Sequence, residues 1–532
     1  LPALFEVVAQ AVDERGAVLV EQRALTRFLE RSQLTLTITL APCGDLALGS
    51  VCEKSADCHG IGCQTCRTGG CDATDVTNPT KLAPVGGSAG AVAGKAGGGT
   101  KRPGNAGAAG TRLQETPDAG PGGSTSGSTA RDSTPDSDPE QPSGPERAIE
   151  KLDILFMVDN SNSMADEQQS LKAAFGDFLG ALTAGKTLSG TRFTPVTDLH
   201  VGVVSSDMGT PGFDIPSSCH AGGGDDAKLQ HISKGAGCSV AYPAFLSFGG
   251  DAQNGSTSDV VKFANDFGCI AALGTGGCGF EQQLEAPFKA LWPSVFLGPD
   301  GAEQPNPYSF LATTEQGRRG KGDVPEAQGG NLGFLRSAGD SPSLIAIVVV
   351  TDEEDCSVSS VEHLKPSNLL TSDSPYRKEP DLNLRCLAHP EFNYDVIERY
   401  YKGFRMLRQG HEDRVVFAAI GGVPPDLVTK DRLPDFSDEA ARNQFYDNIL
   451  ADPAMQQVID PATNPGMGQG NLTPSCHHPV GNVISTAYPP RRIVELAKAF
   501  GRNGMMQSIC ADDLRFALDA IADTIGRRIG SN

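Results

Sequence analysis

Three segments of this 532-residue chain carry oxygen-bearing side chains in a pattern suited to holding a hard divalent cation. In LDILFMVDNSNSM (152–164), Asp159, Ser161 and Ser163 take alternate positions directly after an apolar run, so one carboxylate and two hydroxyls can converge on one point. In GTGGCGFEQQLEAPFKAL, Thr275 lies in a glycine-rich turn before an amphipathic stretch and offers a third hydroxyl. In LIAIVVVTDEEDCS, the aliphatic run Leu344 to Val350 ends in Thr351 and Asp352. Carboxylate and hydroxyl oxygens favour magnesium, manganese or calcium over zinc. An ion held this way keeps residual positive character, and if the protein oxygens come from one side, its octahedral shell can accept an external carboxylate on the other. The D-x-S-x-S spacing is short, and Ser or Asp at a strand-to-helix junction also serves as an N-cap. The later Thr275 and Asp352 raise it above that alternative.

These residues need a scaffold that brings three distant segments to one edge. Buried parallel strands read as continuous apolar runs, and ligands in open α/β sheets sit beyond the carboxyl ends of the strands. Strands are predicted at Ile154 to Val158, Leu199 to Ser205, Ala244 to Phe248, Leu344 to Val350, Val415 to Ile420 and Gln507 to Cys510. Helical periodicity fits Asp166 to Leu182, Asp259 to Leu273, Phe280 to Leu291, Asn393 to Gln409, Pro490 to Gly501 and Ala511 to Arg528. The alternation implies an α/β fold, a doubly wound, Rossmann-like and mostly parallel sheet flanked by helices. Loop-rich insertions fall at about 207–243, 295–340, 356–390 and 422–485, where they can shape a binding face.

On these residues the chain resembles the von Willebrand factor type A (VWA) family, in particular its secreted bacterial members with extra cysteines. The family's metal-ion-dependent adhesion site uses D-x-S-x-S, a later Thr and a later Asp in this order. The resemblance implies a metal set of Asp159, Ser161, Ser163, Thr275 and Asp352, with magnesium as the resident ion and manganese or calcium as substitutes. It assigns the two serines to direct ligation and the other three residues to direct or water-mediated contact. VVFAAIGG (415–422) is similar to the family's fifth strand, and MMQSICADDLRFALDAIADTI (505–525) to its last strand and closing helix. The likeness spans about residues 150–532, with Asn162 in place of a common Gly and DEED in place of a common Asp-Gly. It implies metal-dependent binding of a protein partner that presents an acidic residue. In the DEED run, Glu354 and Asp355 are read as solvated loop acids, with a second cation site as the alternative.

Composition bounds the rest. The net charge of -21 argues against nucleic-acid and anionic-membrane surfaces. No apolar run reaches the ~18 residues that cross a bilayer. The 14 cysteines divide into six between Cys43 and Cys71 and eight between Cys219 and Cys510, even groups that suggest disulfides and an extracellular, cell-surface or periplasmic location. Zinc is the rival for the first group, where Cys63 and Cys66 form C-x-x-C near Cys58 and His59. Pairing the second group in chain order, which favours local closure, gives Cys219 with Cys238, Cys269 with Cys278, Cys356 with Cys386 and Cys476 with Cys510. The Cys269–Cys278 bridge would then enclose Thr275.

The chain opens with residues 1–42, read as a leader or weakly structured start with a helix over Leu4 to Arg31. Leu40-Ala41-Pro42-Cys43 resembles a lipobox, which would place a lipid anchor on Cys43; the alternative is that Cys43 is simply the first cysteine of the small module. Residues 43–72 form a Cys-rich module too short to bury a core without disulfides, and residues 73–149 a Gly/Ser/Pro/Ala-rich disordered linker. A flexible linker of ~70 residues has ends on the order of 45 Å apart.

Enzyme motifs are missing: there is no G-x-S-x-G, H-E-x-x-H or G-x-x-x-x-G-K-[ST]. His477 and His478 beside Cys476 are read as a surface loop, Met505 and Met506 as strand packing and Trp292 as core. A magnesium chelatase-like accessory fits poorly with disulfide-style cysteines. The leading expectation is therefore an exported or surface-attached, metal-dependent binding protein that is not an enzyme. The alternative is a structural, envelope-associated protein whose cation only stabilises the loops.

Overall fold

The computed structural model describes the backbone of residues 5–12, 18–26, 63–67 and 70–73 and, with short interruptions, residues 149–530. The chain divides into two units, 1–141 and 142–532. In the first, β1 (Phe5–Val12) and β2 (Val18–Thr26) pair antiparallel, as do β3 (Cys63–Arg67) and β4 (Gly70–Ala73). The predicted helix over Leu4 to Arg31 is thus corrected to a pair of strands. Val-rich runs on either side of Asp13-Glu14-Arg15-Gly16 read as strand, turn signal and strand. The expected disulfides of the first module, the lipidation site at Cys43 and the linker lie outside the described residues.

The second unit is built on a six-stranded sheet with order β14-β11-β10-β5-β6-β7. Its strands are β5 (Lys151–Val158), β6 (Asp198–Ser205), β7 (Leu246–Gly249), β10 (Leu344–Val350), β11 (Val415–Gly421) and β14 (Gly504–Ser508). All neighbours are parallel except β7, which closes one edge antiparallel to β6. Two small hairpins, β8 (Phe296–Leu297) with β9 (Glu303–Gln304) and β12 (Cys476–Val480) with β13 (Val483–Ala487), lie outside this sheet. The principal helices are α1 (Ala165–Ala184), α2 (Val260–Ile270) and α3 (Glu285–Leu291). After the short α4 (Val361–Leu364) and α5 (Arg385–Ala388), a π-helical turn (Val396–Tyr401) runs into α6 (Lys402–Met406). The series ends with α7 (Glu439–Ala451), α8 (Arg491–Ala499) and α9 (Leu514–Ile529).

The apolar runs are continuous because both faces of the sheet are covered. Phe156 of β5 packs on Phe175 and Phe178 of α1 and Phe267 of α2. Phe417 of β11 packs on Phe404 and Phe500, and its register partner in β10, Ile347, is opposite Leu155, so it points to the other face. The exception is Asp153, fully buried in β5. Its charge is met by Arg336 Nε at 2.7 Å and by Arg408 at 3.6 Å, which tie two distant segments to the amino end of the sheet. Elsewhere, Arg399 grips Glu285 through two hydrogen bonds of 2.8 and 2.6 Å and joins the π-helical turn to α3.

Two elements depart from expectation for a physical reason. The last strand begins at Gly504, three residues before the predicted start, and the absent side chain there leaves room for the Ala497 carbonyl that packs against it. The helix predicted from Phe280 begins only at Glu285. Before it, Glu281 bridges to Asp207, the Gln282 N–H donates to Ser206 O of the β6 loop at 3.1 Å, and Gln283 and Leu284 form a turn into the helix. The 422–485 segment is not all loop: it contains α7, capped by Asp438 and buried through Phe445, Tyr446 and Ile449. Among the described residues no helix is long and apolar enough to cross a membrane.

Candidate metal centre

Val158, Val350 and Ser205 end their strands in register, so the residues that follow them meet at one sheet edge. Asp159 is fully buried there and held by three donors. Its Oδ1 accepts from the Ser161 N–H at 2.8 Å and the Ser206 hydroxyl at 3.0 Å, and its Oδ2 from the Thr351 hydroxyl at 2.6 Å. Ser161 and Ser163 place their hydroxyls 3.2 Å apart, with Ser161 buried and Ser163 exposed. The serines do not cap α1, whose N-terminal residue Met164 makes no side-chain cap. They are left free for another role.

The Thr275 loop is drawn to the same place by Gln168 of α1. Its Nε2 donates to Asp159 O at 2.9 Å and to Gly274 O at 3.0 Å, while its Oε1 accepts from the Gly274 N–H at 3.0 Å. The Gly277 N–H adds a bond of 2.9 Å to Asn160 O, and any side chain at Gly277 would collide with Asn160. Gln168, Ser206 and Thr351 are therefore the residues that sequence reasoning missed. Gln168 carries no motif, although it stands one turn into the helix after D-x-S-x-S, on the side that faces the strand ends.

Asp352 is 1% exposed, and neither of its carboxylate oxygens meets a protein group in hydrogen-bonding geometry. Burial, Glu353 and Asp159 push its pKa well above the usual carboxylate range, with the nearby Ser163 hydroxyl acting in the opposite sense. Burial and Glu353 do the same to Glu281, while burial and Asp159 raise Glu353 to about 7. A buried carboxylate without donors is costly unless it is protonated or bound to a cation. The oxygen-only donors, the surplus of acid and the unpartnered Asp352 fit a hard divalent ion, with Asp159, Ser161, Ser163 and Asp352 as the residues that would hold it. Thr275 lies on the adjoining loop, half-buried.

The DEED acids correct one expectation. Asp355 is fully buried rather than solvated: Oδ1 accepts from the Leu284 N–H at 2.9 Å and the Ser357 hydroxyl at 2.6 Å, and Oδ2 from Arg492 Nε at 3.0 Å. Glu354 accepts from Gln457 Nε2 at 2.7 Å and from the Arg492 N–H at 3.2 Å, and burial raises it to about 8. Both acids anchor the 281–284 segment and α8 instead of facing solvent.

All eight cysteines of this unit are paired, but not all in chain order. Cys356–Cys386 and Cys476–Cys510 are as expected, whereas the first four form Cys219–Cys278 and Cys238–Cys269. Cys269 and Cys278 are thus not joined to each other. Each side of the Thr275 loop is instead tied to the 207–243 insertion, because α2 and the turn after it pack against that insertion rather than closing on themselves. Cys356, His363 and Cys386 lie together, with His363 Nε2 3.3 Å from Cys386 Sγ, but the two sulfurs are bonded to each other. His477 and His478 stand in β12, not in a loop, and neighbours on a strand point to opposite sides. Met505, Met506 and Trp292 are buried, as read from sequence.

No family model matches the chain, and no curated protein does. Among solved structures it shows a likeness to proximal thread matrix protein 1 from the mussel byssus. The identity is 11%, the TM-score 0.20, and the match covers 52% of this chain and 38% of that one. A likeness this slight carries no conclusion about fold family or function.

Proposed function

We propose that residues 150–532 form a VWA domain whose metal-ion-dependent adhesion site binds a divalent cation, magnesium first, and through it an acidic residue of a protein partner. The observation that carries this reading is Asp352: a buried carboxylate without donors, beside the Asp159 carboxylate and the Ser161–Ser163 hydroxyl pair at the sheet edge. The bound ion would supply a Lewis-acidic coordination position for the partner carboxylate. The chain's own residues orient Asp159, present the two hydroxyls and supply the charge. The chain is read as a binding protein rather than an enzyme. Four disulfides support an exported or surface-attached location, with Cys43 as the proposed lipid anchor.

Calorimetry with magnesium on the full chain tests the reading. Asp159→Ala should weaken magnesium affinity by at least about tenfold while disulfides and secondary structure persist, and unchanged affinity would mean the ion binds elsewhere. The second reading, in which a cation only stiffens the loops, draws on the Gln168 and Gly277 bonds that already lock those loops together. Partner capture that is equal in magnesium and in EDTA would select it.

A further inference from the structure

A cavity of about 420 Å³ opens beside the metal centre and shares a wall with it. Glu281 and Glu353, which both feel the Asp159 charge, line it on that side. Tyr488 lines it too, and its N–H donates to Asp352 O at 2.7 Å. Glu354, Asp355 and Glu495 also line it; Asp355 is held by Arg492, the one basic residue of the lining, and Glu354 by Gln457 and the Arg492 N–H, which leaves exposed Glu495 as the acid of the rim. That guanidinium is already committed, through Nε to Asp355 and through Nη2 to Tyr394 O at 2.8 Å. Glu495 is exposed and has no ion-pair partner among the described residues. The remaining wall sets the apolar side chains of Phe280, Leu382, Leu387 and Leu472 among the amides of Asn383, Asn393, Gln457 and Asn471. An apolar wall for a stem, amide oxygens, and the carboxyls of Glu281, Glu353 and Glu495, without a cationic partner among the described residues, suit a side chain with an aliphatic stem and a cationic end, and the volume falls in the range of ligand pockets.

We infer that this cavity receives a lysine or arginine side chain of the partner segment whose carboxylate reaches the metal, so that the protein recognises an acidic residue with a basic neighbour. The inference rests on the metal-dependent reading above and names the partner chemistry of the same face. Cation and metal-bound carboxylate would act together, since the acids that hold one side of the cavity also adjoin the ion.

The test uses the full chain and three fluorescent peptides: one with Asp and a Lys within three positions, one with norleucine in place of that Lys, and one with the Lys but Asn for Asp. Binding is measured by anisotropy in magnesium and in EDTA. The Asp/Lys peptide should bind about tenfold tighter than the norleucine peptide, in the low range of close charge pairs, and only in magnesium. Glu495→Lys, at an exposed helix position, should erase that ratio, and Asn383→Trp, at the exposed cavity mouth, should do so by filling the space. Magnesium-dependent binding with no preference between the first two peptides overturns this inference and leaves the metal-dependent reading standing. Equal binding of all peptides in EDTA overturns that reading, and with it the inference. Tight binding of the Asn/Lys peptide would reduce the effect to the chain's net negative charge and overturn the inference as well.

Discussion

Replacing Asp352 with Asn should move the stability of the metal-free and the metal-bound protein in opposite directions. Without metal, the wild-type side chain is a buried carboxylate with no donor in hydrogen-bonding geometry, the Ser163 hydroxyl nearby and three acidic neighbours, Glu353, Asp159 and Glu167. Keeping such a charge costs several kcal/mol, part of which the protein escapes by binding a proton. The amide removes that cost but brings its own desolvation, about 1–3 kcal/mol for unmet groups, eased here by two carboxylates that can accept from it. The net expectation in EDTA at pH 8 is a gain of ~1–2 kcal/mol. At a free magnesium concentration 100 times Kd the wild type should gain ~2.7 kcal/mol, and the variant little. Denaturant unfolding with the disulfides intact, in EDTA and in magnesium, reads both quantities. The reasoning fails if Asp352→Asn is less stable than wild type in EDTA, or if it keeps the full magnesium increment.

Gln168→Ala should lower stability by about 2–3 kcal/mol, since three hydrogen bonds worth ~1 kcal/mol each are lost. It should also weaken magnesium binding by freeing the Thr275 loop; calorimetry and denaturant unfolding check both, and a variant with native magnesium affinity would remove that loop from the site. His363 is buried and held neutral by burial and Arg385, its pKa depressed to about 4 from 6.5. The unfolded chain therefore takes up a proton first as pH falls through 6.5, and stability contributed by the neutral ring is lost progressively down to pH 4, by at most about 3 kcal/mol. Unfolding measured from pH 7 to 4 should show a shallower acid limb in His363→Gln.

The sheet was legible because a strand buried on both faces must be apolar throughout, and Leu344–Val350 is found where its aliphatic run lies. D-x-S-x-S and Asp352 were legible for the related reason that hard ligands must follow such strands directly. What sequence could not give was whatever the loops do to one another. Phe280–Leu284 has helical periodicity, but the Asp355 carboxylate takes the Leu284 N–H and the β6 loop takes Gln282, so tertiary bonds overrode local preference and the helix starts late. Chain order likewise favoured short cysteine loops, yet pairing is decided by which segments lie together in space, and the 207–243 insertion lies against both ends of the Thr275 loop. Asp355 shows the limit most clearly. A run of four acids reads as solvated because charge is rarely buried, and nothing local reveals that Arg492, 137 positions away in sequence, neutralises one of them. That pairing has a chemical consequence: Asp355 is spent on structure, so the acid available to a cation is the one left without a donor, Asp352.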